Sequence, residues 1–301
     1  MADVDVSVII VNYHTFDLTC NCIQSVEDRT KGTSYEIILV DNGSTKMEEM
    51  EFGKRFPRIT YINTSENMGF SRANNVGIKR ARGIYVLLLN SDTILVNDAV
   101  TIAKEVLEND TTIGVVSGQL LNPDGSVQPV AGKFPSLKNL LLDLFRVSRF
   151  YDREQRSKFY LGTEWNYDQA GEVDWVWGAF FMFRRLSLNE FPGNKLHETF
   201  FMYYEDVQWC YHFKTILKKK VVYAPGPKAI HYLGKSDKNA EDRDAKYFSS
   251  MLPNEHAWMT QTRGRLYTFS YYLAKTLYYL SLRRSADVSK ANIYRRYILK
   301  K

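Results

Sequence analysis

The chain has 301 residues, 45% hydrophobic and 25% charged, an ordinary composition for a soluble globular protein. Its net charge of +6 is uneven: residues 261–301 hold ten Lys/Arg against Asp287 alone, which leaves residues 1–260 at −3 and argues against a uniformly basic nucleic-acid-binding surface. Three cysteines (Cys20, Cys22, Cys210) without framework spacing argue against a disulfide scaffold or a zinc site. An acidic start is unlike a signal peptide, and no run of about 18 apolar residues is present to span a bilayer.

Over the first 120 residues, strands and helices alternate. Residues 6–11 are a β-branched strand, and 17–29 place Leu18, Cys22, Ile23 and Val26 at helical spacing. Residues 35–40 form a second strand running into the turn signal Asp41-Asn42-Gly43-Ser44. A helix is expected at 45–56, a strand at 58–63, a helix at 71–81 closed by Gly83, a strand at 85–89, a helix at 98–107 and a strand at 113–117. This alternation predicts an α/β fold, a mainly parallel sheet with helices on both faces. Residues 122–171 break the rhythm with the turn Asn122-Pro-Asp-Gly, Pro129 and Pro135, and a basic, aromatic, helical stretch at 137–161; they read as an insertion over one face. Aromatic residues cluster at 173–184, then a helix at 206–217 and strands at 220–223 and 229–232 follow. The expected organisation is one domain over 1–260, in segments 1–120, 121–172 and 173–260, and a helical tail over 261–301.

The chemistry-bearing residues fall largely at strand ends, where open α/β sheets bind ligands. Residues 85–92, Tyr-Val-Leu-Leu-Leu-Asn-Ser-Asp, run a doubly buried strand into Asn90, Ser91 and Asp92. A carboxylate delivered there suits a metal ion on a phosphate, or a helix N-cap. Asp41 can accept from the imide N–H of uracil or thymine, or start an Asx-turn. In the loop from Asn67 to Gly77, Gly69 lets backbone approach a ligand ahead of a helix N-terminus, although neither G-x-G-x-x-G spacing nor a P-loop lysine is present. Glu205 and Asp206 follow an aromatic run: two adjacent acids there are either in use or serve a helix dipole. His231 would matter where the fold brings it to Asp92.

In this order the segments resemble glycosyltransferase family 2, inverting enzymes of the GT-A (Rossmann-like) fold, and within it the rhamnosyl- and galactofuranosyltransferase branch. The resemblance rests on Val8-Ile-Ile-Val-Asn-Tyr13, Val40-Asp-Asn-Gly-Ser44, Asn67 to Gly77, Leu89-Asn-Ser-Asp92, Trp177-Gly-Ala179, Glu205-Asp206 and His231-x-x-Gly234-x-Ser236. It implies nucleotide-sugar contacts from Tyr13, Asp41, Asn67, Gly69, Asn74, Asn90 and Asp92, with Asp41 on the base. It also implies a donor or acceptor pocket at Trp177 and Gly178, and Mg2+ or Mn2+ held by Asp92 with His231. Asp206, beside Glu205, would be the general base. The implied substrates are a UDP- or dTDP-sugar, rhamnose-type favoured, and a glycan acceptor, polyprenyl-linked, in bacterial cell-surface polysaccharide synthesis. The sequence departs from the family pattern at His14 (usually Asn), at Asn90 (first Asp of the metal motif) and at Lys195-Leu-His-Glu198 (Gly-Phe-Asp-Glu). Gln208 and His212 stand where Asp and Arg are common. A sugar-phosphate nucleotidyltransferase would want a glycine- and arginine-rich loop after the first strand, and residues 12–17 have neither. The other rival is a non-catalytic sugar-nucleotide-binding scaffold.

In the tail, Leu266, Phe269, Leu273, Leu277 and Leu280 recur at helical spacing between tyrosines and bracketing arginines. This is the pattern of an amphipathic helix on an anionic membrane, which places the expected enzyme peripherally on the cytoplasmic face of the cell membrane. The other reading is a helix packed on the domain or in a homodimer.

Overall fold

A computed structural model describes residues 4–44, 46–152, 155–156, 165–232, 250–282 and 285–298. The elements begin with β1 (Val6–Asn12), α1 (Phe16–Arg29), β2 (Tyr35–Asp41), α2 (Lys46–Arg55), β3 (Thr60–Asn63), α3 (Phe70–Ile78), β4 (Tyr85–Asn90), β5 (Thr93–Leu95), α4 (Ala99–Asn109) and β6 (Ile113–Leu121). They continue with β7 (Ala131–Gly132), α5 (Leu137–Leu144), β8 (Gly171–Val173), β9 (Trp175–Val176), β10 (Phe180–Arg184), α6 (Glu205–Tyr211), β11 (Lys220–His231), α7 (Leu252–Arg263), α8 (Arg265–Leu282) and α9 (Ser285–Ile298). They form two compact units: residues 1–131 with 166–240, and residues 132–165 with 241–301.

The first unit is built on a sheet of order β3-β2-β1-β4-β10-β6-β11-β5, with β8 also on β11. The pairs β1–β2, β1–β4, β2–β3 and β6–β11 are parallel, and β10 runs antiparallel between β4 and β6. Strands β1, β2 and β4 are almost uninterrupted apolar runs because both their faces are covered: Val8, Ile9, Ile10, Ile38, Leu39, Leu87 and Leu88 have no exposed surface. Helix α1 turns Cys20, Cys22, Ile23 and Val26 inward. Gly77 lets α3 lie directly on the sheet, since a Cβ there would come within 2.6 Å of Ile9.

The alternating α/β architecture expected of the first 120 residues is therefore present, and along the whole unit there are three local differences from expectation. Asp92 caps no helix: β5 follows it at once, and Asp98 caps α4 instead, accepting from the Thr101 N–H. The two short strands expected at 220–232 are one strand, β11, whose register slips between Tyr223 and Lys228. Pro225 and Pro227 lie in that interval and have no N–H to give the ladder. The helix expected over 206–217 is α6 followed by a wider π turn at His212–Ile216.

The second unit is helical. Trp258, Met259, Tyr272, Ala291 and Tyr294 are among its buried residues. Glu255 is buried among them and accepts from the Tyr272 hydroxyl at 3.2 Å and Lys275 Nζ at 3.3 Å, while Lys275 lies over the Tyr294 ring. The Leu137 N–H donates to the Tyr267 hydroxyl at 2.8 Å, tying α5 to α8. The tail expected from residue 261 begins inside α7, and residues 132–165 group with it rather than with the sheet. No helix among the described residues is long and apolar enough to cross a membrane.

Candidate active site

The parallel strands deliver their polar residues to one edge. Asn12 ends β1 and is fully buried. Its Nδ2 donates to Asp41 Oδ1 at 3.0 Å and Ser44 Oγ at 3.1 Å; its Oδ1 accepts from the Thr15 and Thr19 hydroxyls. Asp41, at the end of β2, accepts on its other oxygen from the Tyr61 hydroxyl at 2.5 Å. Both Asp41 oxygens are thus engaged by side chains and the residue has no exposure, so it is a buried brace between strand ends rather than the start of an Asx-turn. Tyr13 is exposed beside it, its ring 4.6 Å from that of His14.

The next loop is held by amides. Asn42 Nδ2 donates to Asn67 Oδ1, which also accepts from the Gly69 N–H. Gly69 has φ +85°, and a Cβ there would lie 2.4 Å from the carbonyl oxygen of Phe201. That carbonyl accepts from the Phe70 N–H, so the close approach Gly69 permits is to the segment before Glu205. Asn74 is buried; its Nδ2 donates back to the Phe70 carbonyl, and its Oδ1 has no partner among the described residues.

At the end of β4 the fold brings Asp92 to His231. His231 Nε2 lies 3.3 Å from Asp92 Oδ1 and 3.4 Å from Asn90 Nδ2, with both ring and carboxylate almost fully buried. The pairing of Thr93 with His231 and the Tyr232 N–H donating to the Asp92 carbonyl fix the two backbones together. His231 Nδ1 lies 2.9 Å from Oε1 of the buried Gln128. Gln128 Nε2 donates to the His231 carbonyl and to Asn122 Oδ1, so Oε1 is the accepting end and Nδ1 carries the hydrogen. Nε2 therefore points at the Asp92 carboxylate, with the Asn90 amide beside it, and an imidazole nitrogen and a carboxylate oxygen at this separation are a donor set that suits a shared cation. The residues present therefore fit one imidazole and one carboxylate ligand, with no cluster of three or more His, Cys, Asp or Glu among the described residues.

Trp177 and Gly178 join this pair to the acids of α6. The Trp177 ring stands edge-on to His231, centroids 6.1 Å apart. The next residue, Gly178, donates its N–H to Asp206 Oδ2 at 3.2 Å. Asp206 Oδ1 accepts from the Val207 N–H at 2.8 Å. Burial of its carboxyl raises the Asp206 pKa above the ordinary range, and these two N–H donors pull partly against that. Glu205 is buried, Oε2 has no partner among the described residues, and desolvation followed by the Asp206 charge pushes its carboxyl up as well. The preceding Tyr203 and Tyr204 both have positive φ, so the chain enters α6 through a left-handed turn.

The sequence-expected residues Tyr13, Asp41, Asn67, Gly69, Asn74, Asn90, Asp92, Trp177, Gly178, Glu205, Asp206 and His231 all lie in this unit, while Gly234 and Ser236 lie outside the described residues. Sequence reasoning missed Asn12, Tyr61 and Gln128. Gln128 follows the turn Asn122-Pro-Asp-Gly and carries no local pattern; its contact with His231 spans 103 residues. The departures at His197 and His212 prove to be one contact. His212 Nε2 donates to the Glu190 carbonyl, and His212 Nδ1 lies 3.0 Å from His197 Nε2.

The family model of glycosyl transferase family 2 matches residues 7–190, more than half of the chain. The chain belongs to glycosyl transferase family 2. Relatives within reach include the low-salt glycan biosynthesis hexosyltransferase Agl10 of Haloferax volcanii, 28% identical over 214 residues, 69% of this chain and 61% of the relative. The dolichyl-phosphate beta-glucosyltransferase ALG5A of Trichomonas vaginalis is 30% identical over 127 residues, 40% of this chain and 39% of the relative. The chain thus spans less than two thirds of these family members. Among solved structures it is similar to GalNAc-T7, crystallised with UDP, GalNAc and Mn2+, at a TM-score of 0.53 and 16% identity over 76% of this chain and 44% of that one. That likeness shows the fold, which is GT-A-like.

Proposed function

We propose that the chain is an inverting, metal-dependent glycosyltransferase. It would move a sugar, rhamnose-type favoured, from a UDP- or dTDP-sugar to a hydroxyl of a polyprenyl-linked glycan in bacterial cell-surface polysaccharide synthesis. One observation carries the reading. Consecutive residues Trp177 and Gly178 contact, respectively, the imidazole of the Asp92–His231 pair and the carboxylate of Asp206, so a cation-binding pair and a base adjoin a single peptide.

In this reading Asp92 and His231 Nε2 hold Mg2+ or Mn2+, with Asn90 a neutral neighbour. The ion supplies neutralisation of the charge that grows on the departing nucleoside diphosphate. Asp206 takes the proton of the attacking acceptor hydroxyl, and in-line attack from the face opposite the leaving group inverts the anomeric centre. The Gly178 and Val207 N–H groups orient that carboxylate. Its raised pKa brings it closer to neutral pH, where general bases are most effective. Glu205 stays protonated beside it and leaves Asp206 as the charged member. Tyr13 flanks the nucleotide, and Asn67, Gly69 and Asn74 shape its loop. A base contact from Asp41 requires the Tyr61 hydroxyl to yield its oxygen.

The UDP and Mn2+ bound in the GalNAc-T7 structure accord with a uridine nucleotide donor and a divalent metal. The Trichomonas relative, a dolichyl-phosphate beta-glucosyltransferase, accords with a lipid-linked acceptor. A peripheral place on the cytoplasmic membrane face, through residues 261–301, accords with such an acceptor. A thermal-shift panel of UDP-, dTDP- and GDP-sugars with Mn2+ or Mg2+ tests the donor. Stabilisation by a UDP- or dTDP-sugar only with metal is expected; stabilisation by none of them overturns the reading. Metal-dependent donor hydrolysis separates an enzyme from a binding scaffold. Pyrophosphate release from a nucleoside triphosphate and a sugar 1-phosphate would instead mark a nucleotidyltransferase.

A further inference from the structure

The two units differ sharply in charge. By sequence the second carries 19 Lys/Arg against 9 Asp/Glu, and the first 21 against 25. Helix α8 is amphipathic in the reverse of the usual sense. Its buried face is Thr268, Tyr271, Tyr272, Ala274 and Thr276, and its exposed face is apolar: Leu266, 79% exposed, then Phe269, Leu273, Leu277 and Leu280. At 1.5 Å per residue that stripe is about 21 Å long. An apolar stripe left outward along four turns marks an interaction surface rather than ordinary scatter.

A second apolar element belongs to the same unit. Helix α5 has a leucine-rich sequence yet no buried residue. Beyond it Phe145 is 71% exposed, and Phe150, at the end of the short turn Val147–Phe150, is 88% exposed. Leu141, Leu142, Phe145, Val147 and Tyr267 line a groove of about 490 Å³ between α5 and the head of α8. Basic side chains accompany both elements: Lys138, Arg146 and Arg149 around α5, and Arg263 and Arg265 at the start of α8, are all exposed.

We propose that α5, the turn at 147–150 and α8 form one composite surface that docks on an anionic lipid bilayer. Phe145, Phe150 and the α8 leucines enter the interfacial region while the basic side chains meet the headgroups. This rests on the peripheral-membrane reading above and deepens it, since that reading drew on residues 261–301 alone. The charge selects the occupant: a second copy of a unit with this cationic excess meets like charge, whereas an anionic leaflet meets its complement.

The test uses the full chain with vesicles of phosphatidylcholine, alone or with one third phosphatidylglycerol. Co-sedimentation is expected with the anionic vesicles, at least about tenfold stronger than with neutral ones and weakened by salt. The exposed-site variants Phe145→Asp/Phe150→Asp and Leu273→Asp/Leu277→Asp are each expected to lose about tenfold while keeping the wild-type melting temperature and donor binding. A dye on Phe150→Cys, specific because all three native cysteines are buried, should shift to the blue on anionic vesicles only. If the Phe145/Phe150 variant binds like wild type while the α8 variant fails, the composite surface is wrong and the tail-only reading survives. If wild type binds neither vesicle and self-associates through α8, the surface is a protein interface and the membrane reading falls with it.

Discussion

Gln128 holds His231 at two points: its Oε1 accepts from ring Nδ1 at 2.9 Å, and its Nε2 donates to the backbone carbonyl of the same histidine at 2.9 Å. One buried amide thus fixes both the rotamer and the tautomer of the imidazole that faces Asp92.

Gln128→Ala is therefore expected to weaken Mn2+ binding about 10–100-fold, the usual effect of losing a hydrogen-bond partner behind a metal-ligating histidine. Titration of free Mn2+ by its electron paramagnetic resonance signal, with nucleoside diphosphate present, measures this directly. Unchanged Mn2+ affinity would remove Gln128 from the site.

The acid pair of α6 should divide by role. Asp206→Asn is expected to lower kcat by about 10²–10⁴ while leaving donor binding intact. Glu205→Gln imitates the protonated acid and should keep most of the turnover. It should also be stabilising at high pH. The folded state holds on to the Glu205 proton above the ordinary value of 4.5, where the unfolded chain has lost it, so wild-type stability falls as pH rises through that interval. The gain in melting temperature from Glu205→Gln should accordingly be larger at pH 8 than at pH 5.

His197 and His212 carry the opposite sign. Burial holds both imidazoles below the ordinary 6.5, so the unfolded chain binds more protons just under that pH, and stability is lost as pH falls through it. A double change to His197→Asp with His212→Arg, the residue types the family uses there, should flatten the melting-temperature profile between pH 7 and pH 5. An unaltered slope would locate the acid sensitivity elsewhere.

Gly69→Ala tests the link between the amide loop and the segment entering α6. The left-handed φ of +85° and a Cβ 2.4 Å from the Phe201 carbonyl leave no room for a side chain. A loss of about 1–3 kcal/mol from backbone strain is expected, measured by chemical denaturation, together with reduced turnover as Phe201 and the residues before Glu205 are displaced.

Much of this molecule was legible in the chain because its signals are local. The apolar runs of β1, β2 and β4 and the helical spacing in α1 need only neighbouring residues to be read, and the order of elements then implies the parallel sheet. Asp92 could be placed at a strand end, but its capping alternative dissolved only when β5 was seen to start at Thr93. Gln128, Tyr61 and the His197–His212 contact were invisible for one reason: each joins segments brought together by the sheet or its loops, and none has a periodicity to betray it. The outward stripe of α8 was visible as a pattern, but a pattern does not say which face is buried. Helix α5 gave no such warning, because leucines in a short helix ordinarily point inward.

The ladder contact between Thr93 and His231 gives the Asp92–His231 pair a property that neither side chain has alone. Its two members lie far apart in the sequence, yet the pairing of β5 with β11 fixes their backbones side by side. Binding there demands little ordering of the chain, so affinity should follow the integrity of the three-residue edge strand β5. Mild heating that frays this edge would release a bound ion while the rest of the sheet is still folded, making metal retention an early reporter of local melting.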